Sequence, residues 1–291
     1  MKQAFILAAG FGKRLLPLTS FIPKPLFPVW NVPILARILD RLEQAGFEKV
    51  FINTHHHAEK IQAFLKGFKS TIELVVFSED TIRGTGGGIA QAVKMLDCTS
   101  PLLIYNGDIV CDIDLHAFWV KALEDRDAAA SLLMHVCRPF NNVRIEKDEV
   151  VEFGYHGMGA AAYCGICVLQ PNIYPFFHDR YPYSLIDIFK KCLVKGGKVK
   201  ACQARSLDED YLWADIGTLD GYLDAHFVLI RKYGNTRQME EAAAGRWSVA
   251  GRGVTLGKKV RLMETVIWDG CNVEDGAFLQ RMVVTPYGTV K

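Results

Sequence analysis

The sequence has almost no net charge and no long apolar run, and each lack argues against a class of protein. Its 34 lysines and arginines nearly balance 32 acidic residues, so the formal net charge is +2. This balance gives no sign of a general binder of nucleic acids or anionic membranes. No apolar stretch approaches the roughly 20 residues that span a bilayer. The apolar run at residues 4–9 leads straight into a glycine-rich turn, which predicts a buried first strand rather than a signal peptide.

The sequence also lacks a cysteine or histidine pattern typical of metal sites. Its eight cysteines form no framework of short spacings. Cys164 and Cys167 are close, but a separation of three within a strand places their side chains on opposite faces, and no second pair completes a zinc site. We therefore expect reduced thiols in a cytoplasmic protein. The consecutive histidines at 55–57 diverge in any regular structure, which favours loop histidines at a strand end.

Strand and helix patterns alternate along the first 123 residues. They predict an α/β fold with a Rossmann-like, doubly wound, mostly parallel sheet, in which ligands bind beyond the carboxyl ends of the strands. Asp114, Ser184 and Thr218 are predicted to cap helices. The predicted strands are residues 4–7, 50–53, 72–77, 102–105, 129–136, 163–169 and 211–213, and the predicted helices are 33–45, 59–65, 89–96 and 115–123.

The end of the chain has a different texture. Residues 235–245 are polar and rich in alanine, which is typical of a connector. Apolar residues then recur every six positions, first at Val254, Val260 and Val266 and, after a slip of one, at residues 267, 273 and 279. This period predicts about two coils of a left-handed parallel β-helix. We therefore expect a main domain over 1–234 and a second part over 235–291. Two coils are too few to fold alone, so they should pack on the main domain or on another subunit, which allows a homo-oligomer.

A glycine-rich, basic loop follows the first predicted strand. Gly10 and Gly12 let a phosphate approach the backbone without a Cβ in the way, and Lys13 and Arg14 add positive charge. Arg14 can bind phosphate oxygens in a bidentate manner. Lys24 follows between two prolines that stiffen its backbone.

Other readings of this loop are a Walker loop, a dinucleotide fingerprint and a structural turn with surface cations. A Walker loop requires Ser or Thr after Gly-Lys, where this chain has Arg14. A dinucleotide fingerprint requires a third glycine, where this chain has Leu15. A plain structural turn is the common meaning of Gly-x-Gly alone, but the added Arg14 and the Pro-Lys-Pro around Lys24 make it a poorer explanation.

These residues resemble the opening motif of the sugar-nucleotide pyrophosphorylases, LAAGxGxRLxPLT followed by PKP. The resemblance continues through GTGGGI at 84–89, NGD at 106–108 and WADIGT at 213–218, so it covers roughly residues 1–230 in the expected order. The N-terminal part resembles N-acetylmuramate-1-phosphate uridylyltransferases. The sequences VIWDG at 266–270 and VEDGA at 273–277 resemble the β-helix of mannose-1-phosphate guanylyltransferases.

The resemblance implies transfer of a nucleotidyl group from an NTP to a sugar 1-phosphate, with release of pyrophosphate. Magnesium prefers carboxylates, phosphate oxygens and water. The expected metal ligands are Asp108 and Asp215, each at a strand end, although both could be turn or capping residues. Arg14 is expected to bind the triphosphate and stabilise the leaving pyrophosphate. Lys24 is expected to contact the α-phosphate or the sugar phosphate.

The resemblance also implies which residues bind the nucleotide. The loop at 84–88 is expected to lie against the base, and Glu79 to accept a hydrogen bond from guanine or uracil, unless it is an ordinary surface carboxylate. The expected nucleotide-binding residues are Leu7, Ala8, Ala9, Gly10, Gly12, Lys13, Glu79, Thr85, Gly86, Gly87, Asn106 and Gly107.

The chain departs from the family at the sugar phosphate. Many relatives carry a Glu-Lys-Pro motif whose lysine holds that phosphate, but residues 151–156 contain no lysine. The candidates left are Lys24, Gly165 and Asn142, with Asn141 as a neighbour. GTP with mannose 1-phosphate, or UTP with an amino-sugar or N-acetylmuramate 1-phosphate, are the expected substrates. A cytidylyltransferase for phosphocholine or another non-sugar phosphate, and a non-catalytic sugar-nucleotide-binding regulator, remain alternatives.

Overall fold

The computed structural model describes residues 1–96 and 99–291, so Cys98 lies outside the described residues. No helix of this described part is long and apolar enough to cross a membrane. Short 3-10 turns lie at Lys13–Leu15, Leu18–Ser20, Lys24–Leu26, Pro171–Phe176 and Ala204–Ser206. The α-helices are α1 (Ile34–Gln44), α2 (Ala58–Gly67), α3 (Gly84–Val93), α4 (Leu115–Ala122), α5 (Leu185–Val194), α6 (Leu219–Tyr233) and α7 (Thr236–Ala243).

The strands are short and numerous. In chain order they are β1 (Gln3–Leu7), β2 (Pro28–Val29), β3 (Val32–Pro33), β4 (Lys49–Thr54), β5 (Glu73–Ser78), β6 (Leu102–Asn106), β7 (Ile109–Cys111), β8 (Ala128–His135), β9 (Val143–Glu146), β10 (Glu149–Phe153), β11 (Ala162–Leu169), β12 (Lys198–Gln203), β13 (Trp213–Asp215), β14 (Ser248–Ala250), β15 (Thr255–Leu256), β16 (Arg261–Met263), β17 (Thr265–Ile267), β18 (Asn272–Val273), β19 (Phe278–Gln280), β20 (Val283–Thr285) and β21 (Gly288–Val290).

The chain divides into two compact units, and the first contains the large sheet. This sheet unit comprises Met1–Gly10, Leu39–Gly107 and Asp112–Tyr211. Its nine strands have the order β5-β4-β1-β6-β11-β8-β12-β10-β9. The pairings make seven of the nine strands point the same way, with β11 and β10 reversed. This confirms the predicted α/β fold with a large, mostly parallel sheet.

Buried apolar residues hold the sheet unit together. Phe5, Phe51, Ile104 and Leu132 on the strands pack in one core with Phe189 of α5, and all five are completely buried. The predicted caps are confirmed, since Asp114 accepts a hydrogen bond from the Ala117 amide and Ser184 forms a capping box with Asp187. The apolar residues of the strands are therefore the part of the sequence pattern that predicts this core most directly.

The prediction of a loop at 84–88 was wrong. The glycine-rich stretch at 84–88 is the first part of α3 rather than a loop, and α3 begins five residues before the predicted start at Ile89. The connector predicted at 235–245 contains α7, which Asn235 and Gln238 cap reciprocally. The last predicted strand is also shifted, from 211–213 to β13 (Trp213–Asp215).

The second unit comprises Phe11–Ile38, Asp108–Cys111 and Leu212–Lys291. This division differs from the boundary expected at residue 234. Its reason is a group of packed rings, since Phe27 lies edge-on to Tyr222 at 5.6 Å and to Trp268 at 5.3 Å between centroids. The Trp268 indole donates a hydrogen bond to the Tyr222 hydroxyl over 3.0 Å, and that hydroxyl donates to the Pro28 carbonyl. Residues from both ends of the chain thus share one core.

The C-terminal strands of this unit pair in a regular way. β14 with β17, β15 with β18, and β16 with β19 are parallel pairs, and paired residues are 17 positions apart. Asp269 accepts a hydrogen bond from the Arg252 amide and Asp275 from the Lys258 amide, again across 17 positions. These parallel ladders are the pairing that the β-helix prediction requires, and a left-handed β-helix stays a prediction.

A buried histidine makes the stability of the second unit sensitive to acid. His226 is completely buried, and burial lowers its pKa from 6.5 to about 4. Because the folded-state pKa is depressed, its contribution to stability is present above pH 6.5 and is lost as pH falls towards 4. We expect the free energy of unfolding to fall by about 2 kcal/mol between pH 7 and pH 5 from this residue alone.

Urea unfolding at pH 7 and pH 5 measures this loss. His226→Gln should remove it, because the variant has no imidazole to protonate. His116→Gln, at an exposed position on α4, should leave the pH dependence as in the unmodified protein. An equal pH dependence in all three proteins would contradict the assignment.

Candidate active site

Two aspartates lie side by side because two short strands of the second unit pair. β13 runs antiparallel to β7, with Asp215 opposite Ile109. The Ile216 amide donates a hydrogen bond to the Asp108 carbonyl over 3.1 Å. More than a hundred residues separate the two aspartates in the sequence, and the pairing of β7 with β13 brings them together. The two predicted metal ligands therefore belong to one group.

A lysine completes the group. The Lys24 ammonium forms an ion pair with the Asp108 carboxylate, and the Lys24 side chain is only 12% exposed. Lys24 begins a 3-10 turn, and Pro23 before it is extended with φ −69°. The turn closes when the Phe27 amide donates to the Lys24 carbonyl over 3.0 Å. The rigid Pro-Lys-Pro backbone thus fixes the lysine beside the carboxylates.

Arg14 lies at the same place. A Cβ added to Gly217 would come within 2.5 Å of both the Arg14 guanidinium and the Asp215 carboxylate. The absence of a side chain at Gly217 therefore leaves room for both the Arg14 guanidinium and the Asp215 carboxylate. Gly217 was not among the site residues predicted from the sequence, although its place two residues after Asp215 could have indicated it. We call Arg14, Lys24, Asp108 and Asp215 the charged cluster.

The electrostatics of the charged cluster suit a divalent cation. Burial, and next the charge of Asp108, raise the pKa of the Asp215 carboxyl, while Lys24 and Arg14 oppose the shift. Two close carboxylates that repel each other would be stabilised by a metal ion between them. Among the described residues no group of three or more His, Cys, Asp or Glu side chains could hold a metal. Two carboxylates nevertheless fit Mg²⁺, which usually takes one or two from the protein and its other ligands from water and phosphates.

Gly10 and Gly12 of the predicted phosphate loop are glycines for different reasons. Gly12 has φ 62°, and its Cβ would lie 2.7 Å from Thr19 Cγ2. Gly10 is exposed, and nothing lies within 4 Å of its Cβ position. The fold therefore requires glycine at position 12. Packing does not require glycine at position 10, so the approach of a phosphate is the explanation that remains for Gly10.

These two glycines give a matched pair of variants. We expect Gly10→Ala to fold with unchanged stability and to raise the KM for the NTP about tenfold, because its methyl group occupies the predicted phosphate position. We expect Gly12→Ala to lower the free energy of unfolding by at least about 1 kcal/mol, because it combines a left-handed backbone with a clash. Thermal unfolding and initial-rate kinetics separate the two effects, and a destabilised Gly10→Ala would contradict the distinction.

The other residues of the loop show how its start is held. The Leu7 carbonyl accepts a hydrogen bond from the Gly107 amide over 3.0 Å, and a Cβ on Gly107 would lie 2.5 Å from that carbonyl. Asn106 ends β6 opposite Leu7 of β1. Ala8 and Ala9 are buried, whereas Lys13 is exposed, with its ammonium 5.4 Å from the Phe11 ring centroid.

The glycines of α3 have reasons inside the sheet unit. Tyr183 packs on Gly84 and Gly86, since a Cβ would come within 2.3 Å and 2.4 Å of it. A Cβ on Gly87 would lie 2.8 Å from Arg83 and 3.2 Å from Tyr181. The Thr85 hydroxyl accepts from the Leu185 amide over 2.8 Å. Close packing by residues 181–185 thus explains these glycines, and the contact of Thr85, Gly86 and Gly87 with a base stays a prediction.

Glu79 is not the surface carboxylate that was one reading of the sequence, since it is only 3% exposed. Its Oε1 accepts from Asn53 Nδ2 over 2.7 Å, and its Oε2 accepts from the Arg83 amide over 3.0 Å. Both oxygens therefore bond within the protein, and a contact with the base stays a prediction. Asn53 itself was missed, although a polar residue at the end of a buried strand was a usable signal.

The residues predicted for the sugar lie elsewhere in the sheet unit. Gly165 is buried in β11 with φ 80°, where the register with β8 shifts. Asn142 is exposed just before β9, and its carbonyl accepts from the Gly154 and Tyr155 amides. The Asn141 side chain accepts from the Cys137 amide over 2.7 Å. The histidines at 55–57 follow β4, as expected for a strand end, and His55 Nδ1 donates to the Glu79 carbonyl.

Residues 3–143 match the family described as nucleotidyl transferase, so the chain carries a nucleotidyl transferase domain. It is 29% identical over 223 residues to an N-acetylmuramate alpha-1-phosphate uridylyltransferase from Neisseria meningitidis serogroup B, covering 75% of this chain and 94% of that protein. It is 28% identical to a mannose-1-phosphate guanylyltransferase from Mycobacterium tuberculosis, covering 96% and 83%. It shares its fold with a UDP-glucose pyrophosphorylase from Acinetobacter baumanii, with a TM-score of 0.66, 16% identity, and coverage of 84% and 98%.

Proposed function

We propose that this chain is a magnesium-dependent enzyme that transfers a nucleotidyl group from an NTP to a sugar 1-phosphate. The observation that carries the proposal is the charged cluster, in which the ladder of β7 and β13 places Asp108 and Asp215 together beside Lys24. Its Asp-Lys pair and Arg14 come from three separate sequence motifs. A transfer between two phosphates needs such alignment and charge stabilisation rather than a covalent nucleophile.

In the proposed reaction a phosphate oxygen of the sugar 1-phosphate attacks the α-phosphorus of the NTP. A new P–O bond forms, the bond from the α-phosphorus to the bridging oxygen breaks, and pyrophosphate leaves with that oxygen. Lys24 neutralises charge on the α-phosphate or the sugar phosphate, and Arg14 neutralises the leaving pyrophosphate. Each side chain acts by neutralising charge, so the proposed reaction takes no proton from either of them.

Asp108 and Asp215 are the proposed ligands of Mg²⁺. When bound, the ion supplies positive charge against the phosphate oxygens. Asp215 contributes through its carboxylate, whose ionised form burial disfavours. In the metal-free state, repulsion between the Asp108 and Asp215 carboxylates lowers the stability of the fold. A divalent cation relieves this repulsion more than a monovalent cation does, so we propose that the pair prefers a divalent ion.

The proposed substrates are GTP with mannose 1-phosphate, or UTP with an amino-sugar or N-acetylmuramate 1-phosphate. The relatives named above support both pairs. The region that lacks the family lysine, 151–156, begins in β10 (Glu149–Phe153), whose sequence is EVVEF. Lys24 is therefore the proposed cation for the sugar phosphate, with Gly165 and Asn142 as proposed sugar contacts.

A matrix of four NTPs against a panel of sugar 1-phosphates, read by pyrophosphate release, tests this proposal. We expect one NTP and one sugar 1-phosphate to give turnover that needs Mg²⁺ and that EDTA abolishes. The panel includes phosphocholine, because a cytidylyltransferase of this fold is the alternative enzyme. Tight binding of a nucleotide sugar without release of pyrophosphate from any pair would favour a regulatory protein instead.

We also propose that the C-terminal strands form a subunit interface. Phe278 and Tyr287 in this region are 48% and 51% exposed, and contact with a second copy of the chain would bury this apolar surface. We expect Phe278→Glu to shift an oligomer to monomers in sedimentation velocity. A monomeric unmodified protein at micromolar concentration would contradict this part of the proposal.

A further inference from the structure

A buried amide joins three separate parts of the sheet unit. Asn53, 2% exposed, ends β4 opposite Leu7 of β1. Its Oδ1 accepts a hydrogen bond from the Ala8 amide over 2.9 Å, and its Nδ2 donates to Glu79 Oε1 over 2.7 Å. Glu79 Oε2 in turn accepts from the Arg83 amide over 3.0 Å. We call the path from Ala8 through Asn53 and Glu79 to Arg83 the amide relay.

The chemistry of the relay requires these two side-chain types in this order. Its first member must accept from one group and donate to another, which the Asn53 amide does through separate oxygen and nitrogen atoms. Its second member must accept twice, as an ionised carboxylate does. A Cβ on Gly88 would lie 2.6 Å from Asn53 Nδ2 and 2.8 Å from Glu79 Oε1, so glycine there leaves room for the bond.

Both ends of the relay lie where the proposed nucleotide contacts begin. Ala8 is the first residue after β1, at the entry to the phosphate loop, and Arg83 is the residue before α3. A hydrogen-bonded path between buried groups fixes such distances more firmly than contacts across a surface do. Each step of the path between Ala8 and Arg83 is a hydrogen bond or a covalent bond, and none is an apolar contact.

We propose that Asn53 and Glu79 are positioning residues for the NTP, which set the start of the phosphate loop against the start of α3. This rests on the proposed function. The relay acts through the backbone at Ala8 and Arg83, so Glu79 need not touch the base. Its loss should weaken NTP binding and leave the sugar phosphate and the charged cluster unaffected.

A pair of substitutions reverses the central hydrogen bond without changing the charge. Asn53→Asp alone places two carboxylates together, and Glu79→Gln alone turns its NH2 group towards another donor, either Asn53 Nδ2 or the Arg83 amide, so each variant leaves a buried group unsatisfied. In the double variant Asn53→Asp with Glu79→Gln, the new amide donates to the new carboxylate, and the Ala8 and Arg83 amides keep their acceptors. We expect each single variant to raise the KM for the NTP about tenfold or more, and the double variant to recover most of that loss.

The measurements are kcat, both KM values, and NTP affinity by calorimetry. Asn172→Asp, at an exposed amide that donates to two carbonyls, is the matched control and should change none of them. Additive losses in the double variant, or equal changes in both KM values, would overturn the relay while leaving the proposed reaction standing. A switch of NTP preference in Glu79→Gln without recovery would show that Glu79 reads the base. A chain that binds NTP with relay-dependent affinity but releases no pyrophosphate would contradict the proposed reaction alone.

Discussion

Asp108→Asn and Asp215→Asn should each lower kcat by at least about a hundredfold to a thousandfold while the protein stays folded. Each removes one of the two carboxylates that β7 and β13 bring together, so the proposed metal site loses half of its protein charge. In both variants an amide oxygen keeps the shape of the side chain, and at position 215 it can still accept from the Gly217 amide, but it attracts Mg²⁺ less strongly than a carboxylate does. Pyrophosphate release as a function of Mg²⁺ concentration measures both the rate and the metal dependence.

Asp215→Asn should lower kcat without lowering the thermal stability of the metal-free protein. Because the pKa of Asp215 is raised in the folded protein, its ionised form costs stability at neutral pH, and a neutral amide avoids that cost. We expect metal-free Asp215→Asn to melt no lower than the unmodified protein. Asp114→Asn is the control, since asparagine caps a helix as well as aspartate does. Near-normal turnover in both site variants would disprove the metal assignment.

Lys24→Met should lower kcat by about a hundredfold or more and, at the same time, lower the Mg²⁺ concentration needed for half-maximal activity. The first effect follows because a phosphate loses its cation. The second follows because Lys24 pairs with Asp108 and so competes with a metal ion for that carboxylate. The two changes have opposite signs, which general damage to the site would not produce.

Lys49→Met provides the comparison for this prediction. Lys49 pairs with Glu73 across β4 and β5 over 2.7 Å, so the substitution removes a lysine–carboxylate ion pair that lies outside the charged cluster. We expect it to change neither kcat nor the Mg²⁺ dependence, and to alter stability by less than about 1 kcal/mol. If Lys24→Met raised the Mg²⁺ requirement, the proposed competition for Asp108 would be wrong.

The strands and helices of the fold were predictable where one face is buried. The apolar runs of β1, β4 and β6 and the amphipathic α1 stand out because burial sets their residue pattern. The β9–β10 hairpin was missed because its turn residues, Lys147 and Asp148, adopt positive φ without a glycine to signal it. α7 was missed because its composition is polar and its capping box uses Asn and Gln.

The candidate site was predictable at its charged residues and less so at its neutral ones. The sequence motifs indicated the four charged residues directly, because their side-chain chemistry suits phosphate or metal binding. These residues are Arg14, Lys24, Asp108 and Asp215. The role of Asn53 depends on which strand lies beside β4, and no local pattern contains that fact. For the glycines of α3, the sequence could not distinguish a ligand from a tyrosine as the reason for a missing Cβ, since both demand the same space.

The ring packing around Phe27 links the order of synthesis to the completion of the enzyme. Phe27 closes the turn that begins at Lys24, and Trp268, on which it packs, is synthesised after the whole sheet unit, whose last residue is Tyr211. Phe21 likewise stacks on Tyr287, with 4.5 Å between the ring centroids. A nascent chain can fold its sheet unit early, because domains fold as their residues emerge. The segment that carries Lys24 therefore obtains these packing partners only after residues 268–287 have been made, so we expect a chain truncated before Trp268 to fold its sheet unit without fixing Lys24 in place.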